Sequence, residues 1–339
     1  MGKWVKKKLG ECLTIGNGQD YKHLNRGEIP VYGTGGVMTY VDSFLYDGET
    51  VCIGRKGTIN KPIFHIGKIW TVDTLFYTHS FKDLLPLYAY YVFCAIKWDK
   101  YNEATGVPSL SKETINKIEV TIPSSLSEQR RIASILSSAD KVIDSTQKLI
   151  AKYKQIKQGM MEDLLKPKEG WKMVKLGEVY NFKYGDGNTN PNNDGVYPIY
   201  GANGIIGGYT KFNAKDSVVI GHMGEYAGSV IWANGKHFVT YNGTITTIKD
   251  NDLLYDRFGY FVLLKLNIKK ICAGSGQPFL SYDTLNKIEI SVPDLPEQRR
   301  IASILSGIDK KIESEEKVLE KYKKIKKGLM EKLLRGEES

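Results

Sequence analysis

The chain contains one stretch of sequence twice, and this internal repeat limits the possible folds more than any other feature. The segment from Glu128 to Ser137 recurs without change from Glu297 to Ser306, at an offset of 169 residues. Over residues 128–166 and 297–335, 25 of 39 aligned positions are identical. Upstream of both segments the similarity is weaker but collinear. Each copy therefore has a divergent part followed by a nearly constant tail, which indicates two related but different tasks joined to one shared task.

The constant tails have the three-four spacing of apolar residues that is typical of long helices in a coiled coil. Ser127 can cap the first helix, Pro296 fits the first turn of the second, and Pro167 and Gly336 follow the two helix ends. A helix of 39 residues is roughly 58 Å long, too long to bury its apolar face on one small globule, so we expect the tails to pair. The alternative is that each tail packs only on its own globule. The residues predicted to form the helix interface are Ile132, Ile135, Leu149, Tyr153 and Ile156 in the first tail and Ile301, Ile304, Val318, Tyr322 and Ile325 in the second.

The divergent parts alternate β-rich runs with glycine-rich turns. In the first copy we predict strands at residues 29–32, 50–53, 62–66, 69–77 and 118–122 and helices at 84–97 and 111–117. In the second copy we predict strands at residues 196–200, 217–221, 229–232 and 238–248 and a helix near 252–266. The predicted fold class is α+β: two repeated mixed α/β domains separated by two long helices, which pair as an antiparallel coiled coil with pseudo-two-fold symmetry.

The loops of these globules carry side chains of the types that contact DNA. Arginine and lysine can bond guanine edges, asparagine can bond adenine edges, and all of them can bond phosphates. The alternative is that stretches rich in asparagine, aspartate and glycine are ordinary turns. The candidate DNA-binding residues are Lys22, His23, Arg26, Tyr32, Arg55 and Lys56 in the first globule and Tyr184, Asn188, Asn190, Lys211 and His222 in the second.

Composition and missing motifs argue against several other classes of protein. The formal net charge is +10, and most of the excess lies on the two tails, so charge supports nucleic-acid binding only weakly. The four cysteines form no C-x-x-C pair, and the sequence has no apolar run for a membrane span and no signal peptide, so we expect a protein of the cytoplasm. No phosphate-binding loop, nuclease carboxylate cluster or methyltransferase motif stands out. We therefore predict no catalytic residue, no metal site and no cofactor.

The repeat resembles the specificity subunits of type I restriction–modification systems over nearly the whole chain. The most specific motif is the segment from Pro293 to Ala302, whose second half recurs from Glu128 to Ala133. A second family-like element is the segment from Ile53 to Gly57. In the second copy His222-Met223 replaces Arg55-Lys56, and the segment before the first helix is one residue longer than its counterpart.

The resemblance implies that the chain reads double-stranded DNA and performs no chemistry itself. Residues 1–125 and 167–295 would be target recognition domains, each reading half of a split, asymmetric site. Residues 126–166 and 296–336 would be the conserved helices. Two modification subunits would bring the methyltransferase activity, and restriction subunits would bring translocation and cleavage. Two alternatives stay open: the specificity part of a fused restriction–methylation enzyme, and a coiled-coil scaffold that does not bind DNA sequence-specifically.

The helix length predicts a molecular ruler between the half-sites. One heptad added to both tails keeps the apolar spacing and lengthens each helix by roughly 10 Å. The preferred gap between the half-sites should then grow by about three base pairs, because base pairs rise about 3.4 Å each. Selection of bound sequences from random duplexes measures the gap. An unchanged gap would show that the helices do not set it.

Overall fold

The computed structural model describes residues 3–187, 194–274 and 276–335. The described chain forms two compact units: unit 1 comprises residues 3–148 and 317–335, and unit 2 comprises residues 149–316. Each unit therefore contains one globule and part of both long helices. Within these residues no helix is long and apolar enough to cross a membrane.

The two repeats have the same order of secondary structure. The elements of the first repeat are β1 (Trp4–Lys8), α1 (Leu9–Cys12), β2 (Thr14–Asn17), β3 (Arg26–Gly33), β4 (Gly36–Val41), β5 (Tyr46–Gly54), β6 (Ile63–Thr71), β7 (Leu75–His79), α2 (Pro86–Ala95), a 3-10 helix (Trp98–Tyr101), α3 (Lys112–Lys117), β8 (Glu119–Pro123) and α4 (Leu126–Leu164). Those of the second repeat are β9 (Lys172–Lys175), α5 (Leu176–Val179), β10 (Tyr180–Tyr184), β11 (Tyr197–Gly201), β12 (Gly204–Tyr209), β13 (Ala214–Gly221), β14 (Val230–Val239), β15 (Gly243–Ile248), α6 (Asp256–Lys265), a 3-10 helix (Ile268–Ile271), α7 (Tyr282–Lys287), β16 (Glu289–Val292) and α8 (Leu295–Leu333).

Each unit is built on a six-stranded sheet and a two-stranded sheet. The strand order is β2-β7-β5-β6-β3-β4 in unit 1 and β10-β15-β13-β14-β11-β12 in unit 2. All neighbours are antiparallel except β3 with β6 and β11 with β14, which are parallel. The small sheets pair β1 with β8 and β9 with β16. The predicted fold class of two mixed α/β domains with two long helices is confirmed.

Alternation of side chains along the strands gives each sheet two apolar faces. In β5, Val51 and Ile53 face the core that contains α2, whereas Cys52 faces a smaller core on the other side. The equivalent strand β13 behaves alike, with Val218 and Val219 in different cores. The sheets are therefore covered on both faces within each unit.

Several predicted strand bounds differ from the structure, and β1, β2, β4, β9, β10, β12 and β16 have no counterpart among the predicted strands. The stretch predicted as one strand at residues 69–77 is broken into β6 and β7 by a turn, in which the Leu75 amide donates to the Val72 carbonyl at 2.9 Å. The apolar run hides this turn because it contains neither glycine nor proline. In unit 2 the strands predicted at residues 229–232 and 238–248 are divided elsewhere, because β14 runs unbroken through residues 230–239 and a turn at residues 240–242 separates it from β15.

The long helices α4 and α8 are each 39 residues long and lie close to their predicted bounds. The α4 helix begins at Leu126, so Ser127 lies in its first turn and not at its cap. At the start of α8 the Asp294 carboxylate accepts a hydrogen bond from the Glu297 amide at 3.1 Å and caps the helix. Both helices contribute residues to both units.

Within each unit the two helices run antiparallel and are joined by equivalent ion pairs. In unit 2, Lys157 pairs with Asp309 at 2.6 Å and Lys154 pairs with Glu316 at 2.8 Å. The lower residue number in α4 is thus paired with the higher residue number in α8, as in antiparallel helices. In unit 1, Lys326 pairs with Asp140. Because Asp140 and Asp309 are equivalent in the repeat, as are Lys157 and Lys326, the same bond is made twice.

The buried side chains of the two long helices differ from part of the predicted interface, because in several places the residue after the predicted one is buried instead. Ile132 and Ile301 are buried as predicted, but Ile156 and Ile325 are 39% and 42% exposed. The structure buries another row instead, of which Leu136, Met161 and Leu305 belong to the cores of the globules. The residues of this row are Leu136, Thr146, Ile150, Met161, Leu305, Ile312 and Leu319. The predicted residues Ile135, Leu149, Tyr153, Ile304, Val318 and Tyr322 are half-buried.

A buried glutamine fixes the start of each long helix to its globule. The amide nitrogen of Gln129 donates to the carbonyls of Asp83 and Pro123, both at 2.9 Å, and its oxygen accepts from the Leu85 amide at 2.9 Å.

In unit 2 Gln298 makes the same three bonds, to Leu253, Pro293 and Tyr255, at 2.8–2.9 Å. Both glutamines are fully buried. We call this arrangement the glutamine clamp.

We predict that Gln129→Leu lowers the free energy of unfolding of the chain by about 3 kcal/mol, because it leaves three backbone polar groups without partners in a buried place. Urea unfolding followed by circular dichroism measures the change. Gln158→Leu is the matched control on the same helix, since Gln158 is exposed and bonds only Glu162 in the described residues. A loss for Gln129→Leu no larger than that of the control contradicts the clamp.

Candidate nucleic-acid interface

In unit 1 the loop that follows β5 is fixed by backbone hydrogen bonds on both sides. The Arg55 amide donates to the Thr74 carbonyl at 2.8 Å, and the Arg55 carbonyl accepts from the Leu110 amide at 2.9 Å. One turn further, the Gly57 amide donates to the Pro108 carbonyl at 2.8 Å. The loop is therefore held between the turn after β6 and the segment before α3, and its side chains are carried on a rigid backbone.

Unit 2 holds the loop after β13 with the same bonds at the same lengths. The His222 amide donates to the Asn242 carbonyl at 2.8 Å, and the His222 carbonyl accepts from the Leu280 amide at 2.9 Å. The Gly224 amide donates to the Pro278 carbonyl at 2.8 Å. The two loops thus have the same backbone hydrogen bonds. We call this shared arrangement the backbone frame.

Glycines make this frame possible. A Cβ atom on Gly54 or Gly221 would lie 2.1 or 2.2 Å from a backbone oxygen of the same loop. Gly57 and Gly224 have φ angles of +88° and +81°, which side chains rarely adopt. The Ile53–Gly57 element that the sequence analysis singled out therefore owes its glycines to the backbone path of the loop.

The frame carries different side chains in the two units. We call these two sets the edge clusters. The edge cluster of unit 1 consists of Asn17, Arg55, Lys56, Glu103, Ser109 and Lys112. The equivalent positions form the edge cluster of unit 2: Tyr184, His222, Met223, Ala273, Phe279 and Tyr282. A largely charged surface in one unit is thus an aromatic surface in the other.

The edge cluster of unit 1 borders an open cavity of about 350 Å³. Arg55 and Lys56 are exposed, and neither has a carboxylate partner among the described residues. The Arg55 guanidinium lies over the Phe76 ring, 5.9 Å from its centre, in a cation–π contact. Hydrogen bonds from Ser111 and Thr114 lower the pKa of the Glu103 carboxyl, which is engaged with the start of α3. The Arg55 guanidinium donates to the Asp73 carbonyl at 3.5 Å.

The edge cluster of unit 2 is a stack of aromatic rings. The Tyr184 and Tyr282 rings stack with centroids 4.1 Å apart, and the Tyr184 and His222 rings lie 3.8 Å apart. The Tyr241 ring makes edge-to-face contacts with the Tyr184 and His222 rings. Such rings offer flat apolar faces together with hydroxyl groups that can donate or accept hydrogen bonds.

His222 differs from the exposed loop residue that the sequence suggests, because its side chain is only 5% exposed. Its Nδ1 atom donates to the Leu280 carbonyl at 3.0 Å, which fixes the tautomer and leaves Nε2 as an acceptor. Burial lowers the pKa of the ring, so the imidazole is neutral near pH 7. The sequence cannot reveal this, because the burial comes from Tyr184 and other residues distant in the chain.

The remaining candidate residues are placed outside the edge clusters. Lys22, His23, Arg26 and Lys211 are exposed, and the His23 ring touches the edge of the Trp70 ring. Tyr32 is half-buried, with its hydroxyl 3.3 Å from His65 Nδ1. Asn188 and Asn190 lie outside the described residues.

Sequence reasoning missed several members of the edge clusters. Lys112 and Tyr282 each begin a short helix directly after an N-cap serine, and Ser109 and Phe279 lie between aligned prolines and leucines. Their alignment between the repeats was visible, so a comparison of unlike residues at aligned positions could have found them. In the described part of the chain no group of three or more histidine, cysteine or acidic residues could hold a metal ion.

Comparison with known proteins gives one family. A family model described as "Type I restriction modification DNA specificity domain" matches residues 1–155 and 168–324, once on each repeat.

Two curated relatives match most of the chain. The type I restriction enzyme MjaVIII specificity subunit of Methanocaldococcus jannaschii is 26% identical over 347 residues, covering 86% of this chain and 77% of the relative. A putative type I restriction enzyme specificity subunit of Haemophilus influenzae is 24% identical over 313 residues, covering 84% and 80%.

The fold also has a solved counterpart. The crystal structure of a type I restriction–modification S subunit from M. genitalium superposes with a TM-score of 0.81 at 20% identity, covering 98% of this chain and 96% of that one. At this identity the likeness shows the fold alone.

Two buried histidines of unit 2 predict a pH dependence of stability. Burial lowers the pKa of both His222 and His237, whereas the unfolded chain takes up protons near pH 6.5. Below about pH 6.5 the unfolded state therefore binds more protons than the folded state, so the free energy of unfolding decreases as the pH is lowered. In His237→Gln, urea unfolding between pH 7.5 and 5 should show a shallower fall.

His23→Gln is the matched control, because His23 is exposed. If His237→Gln and the parent chain lose stability equally with falling pH, the buried His237 is not a source of the dependence.

Proposed function

Because the chain belongs to the family of type I restriction–modification DNA specificity subunits, we propose that it reads a bipartite, asymmetric site on double-stranded DNA. Unit 1 reads one half-site and unit 2 reads the other, each through its edge cluster. Residues 1–125 and 167–295 act as the target recognition domains, and residues 126–166 and 296–336 act as the conserved helices.

The repeated backbone frame with exchanged side chains carries this proposal. A protein that read the same bases twice would keep the side chains of its reading surface. Here the backbone bonds recur while Arg55 and Lys56 are replaced by His222 and Met223. Two unlike surfaces on equivalent frames favour two unlike half-sites, and hence an asymmetric site.

In unit 1 the contact chemistry is that of cations. Arg55 can donate two parallel hydrogen bonds to O6 and N7 of a guanine, and its position over Phe76 limits the rotamers it must give up on binding. Lys56 and Lys112 can bond phosphates or guanines. The exposed Lys22, His23 and Arg26 extend the positive surface of the same globule, and Tyr32 supports it through its contact with His65.

In unit 2 the contact chemistry is that of stacked rings. Tyrosine faces can pack on bases or thymine methyl groups, and their hydroxyls can bond base edges or phosphates. The buried His222 positions Tyr184 by direct ring contact. Lys211, Asn188 and Asn190 supply further phosphate or adenine contacts.

The long helices bind the other subunits of the complex. Apolar side chains stay exposed on them although their neighbouring row is buried; these are Leu126, Val142, Ile156 and Ile325. Exposed apolar side chains of this kind are candidate contacts for a protein partner. We propose that two modification subunits dock there and that restriction subunits join through them, in the cytoplasm.

The proposed subunit has no chemistry of its own, needs no cofactor, and leaves methylation and cleavage to its partners. The purified chain should transfer no methyl group to duplex DNA from S-adenosylmethionine and should cleave no DNA with metal and ATP. Methyl transfer by the chain alone would favour the fused-enzyme alternative. Binding without sequence preference would favour the scaffold alternative.

Arg55→Ala should weaken binding to one half-site only, by about 1–3 kcal/mol if Arg55 makes a bidentate base contact. Tyr184→Leu, which keeps apolar bulk, should weaken binding through the other half-site only. Fluorescence anisotropy on a duplex selected by the wild-type chain, with either half scrambled, measures both effects.

Lys172→Ala is the control, because Lys172 is an exposed cation on β9, away from the edge clusters. Equal weakening of every duplex by Arg55→Ala would assign that side chain to a phosphate or to the fold.

A further inference from the structure

The hairpin of β3 and β4 contains a bulge at an exposed apolar residue. Val31 pairs with Thr39 and Tyr32 pairs with Val37, so Met38 has no partner across the hairpin. Its side chain is 58% exposed. A bulge of this kind bends the strand and turns the unpaired side chain away from its regular direction.

The hairpin of β11 and β12 repeats this feature in unit 2. Ile199 pairs with Gly207 and Tyr200 pairs with Ile205, so Ile206 is the unpaired residue. Its side chain is 54% exposed. The bulge and the exposed aliphatic side chain thus recur at equivalent positions, although the surrounding sequence has diverged.

Both hairpins adjoin the loop of the edge cluster. In unit 1 the hydroxyl of Thr34, in the hairpin turn, is so close to Gly57 that a Cβ atom added to this glycine would lie 3.8 Å from it. In unit 2 the Ser229 hydroxyl donates to the Ala202 carbonyl of the turn, and the Ser229 carbonyl accepts from Gly221, the residue before His222. The exposed aliphatic residues therefore follow turns that are fixed beside the side chains proposed to read DNA.

The parts of the hairpins around the bulges carry no charge, although β3 begins with the charged residues Arg26 and Glu28. Residues 29–41 and 197–209 contain no aspartate, glutamate, lysine or arginine, in a chain of which 25% is charged. A neutral segment of this kind can come close to a base step without desolvating a charge and without repelling phosphates.

We propose that Met38 and Ile206 make apolar contacts with DNA bases, one in each half-site, as bulge residues of two equivalent hairpins. This inference rests on the proposed DNA-reading function and adds two specificity-determining residues to it. Aliphatic side chains reach DNA either by packing on a thymine methyl group or by wedging at a base step.

A protein partner is the competing occupant of these residues. DNA is favoured because the turns contact the loops that carry Arg55 and His222, so a duplex on the edge clusters has the hairpins beside it. The bulge also keeps an aliphatic side chain in both units although the edge clusters have diverged. This matches a contact that both half-sites need, whatever bases they contain.

The experiment uses the full chain and a duplex selected by it from a random library. Met38→Ser and Ile206→Ser should each weaken binding about tenfold through their own half-site, because each removes roughly 50 Å² of apolar contact. The slope of log affinity against log salt should stay unchanged, because no phosphate contact is lost. Ile66→Ser is the matched control: Ile66 is also an exposed aliphatic residue of this sheet, but it lies in β6, several residues before the part that pairs with β3.

Three outcomes would overturn the inference. Wild-type affinity in both variants would show that Met38 and Ile206 do not contact DNA, and would favour a protein partner as their occupant. Equal weakening of the selected duplex and of scrambled DNA would rule out a base contact. If the wild-type chain selects no sequence at all, the proposed function itself fails, and this is seen before any variant is made.

Discussion

The buried glutamine at the start of each long helix is the interaction on which the rest of the structure depends. Gln129 and Gln298 each satisfy three backbone groups of the segments that flank α2 and α6 and of the strand that leads into the helix. Such groups would be costly to bury without partners. The clamp joins helix and globule into one folding unit, and the Asp140–Lys326 and Asp309–Lys157 pairs then add the far end of the other helix. This explains why the glutamine is unchanged between repeats whose globules have diverged.

The division between backbone and side chain repeats at the proposed DNA surface. Gly54, Gly57, Gly221 and Gly224 are set by the path of the loops, and the hydrogen bonds that recur in both loops join main-chain atoms. Side chains on such a frame can change without changing the fold. A charged surface in unit 1 and an aromatic surface in unit 2 are therefore compatible with one architecture, and binding specificity can diverge at little cost in stability.

The sequence predicts the large features because they depend on local patterns. Repetition and heptad spacing were sufficient for the existence and length of the long helices, and alternation and turns gave part of the strands of each globule. Features set by contacts between distant residues were not accessible. The heptad pattern allowed two apolar rows. Ile156 and Ile325 lie on the more exposed one, whereas the other includes Leu136 and Leu305, which pack into the cores of the globules. His222 looked like a loop residue because Tyr184 and Leu280, which bury it, are far away in the chain. The bulges at Met38 and Ile206 leave no trace in composition.

Selection of bound sequences by the full chain from a library of random duplexes tests the central claim most directly. We expect one enriched site with two unlike halves separated by an unread gap, because two equivalent frames carry unlike edge clusters. A palindromic site would contradict the claim that the exchanged side chains read different bases. A single contiguous site, or no enrichment, would contradict the assignment of one half-site to each unit.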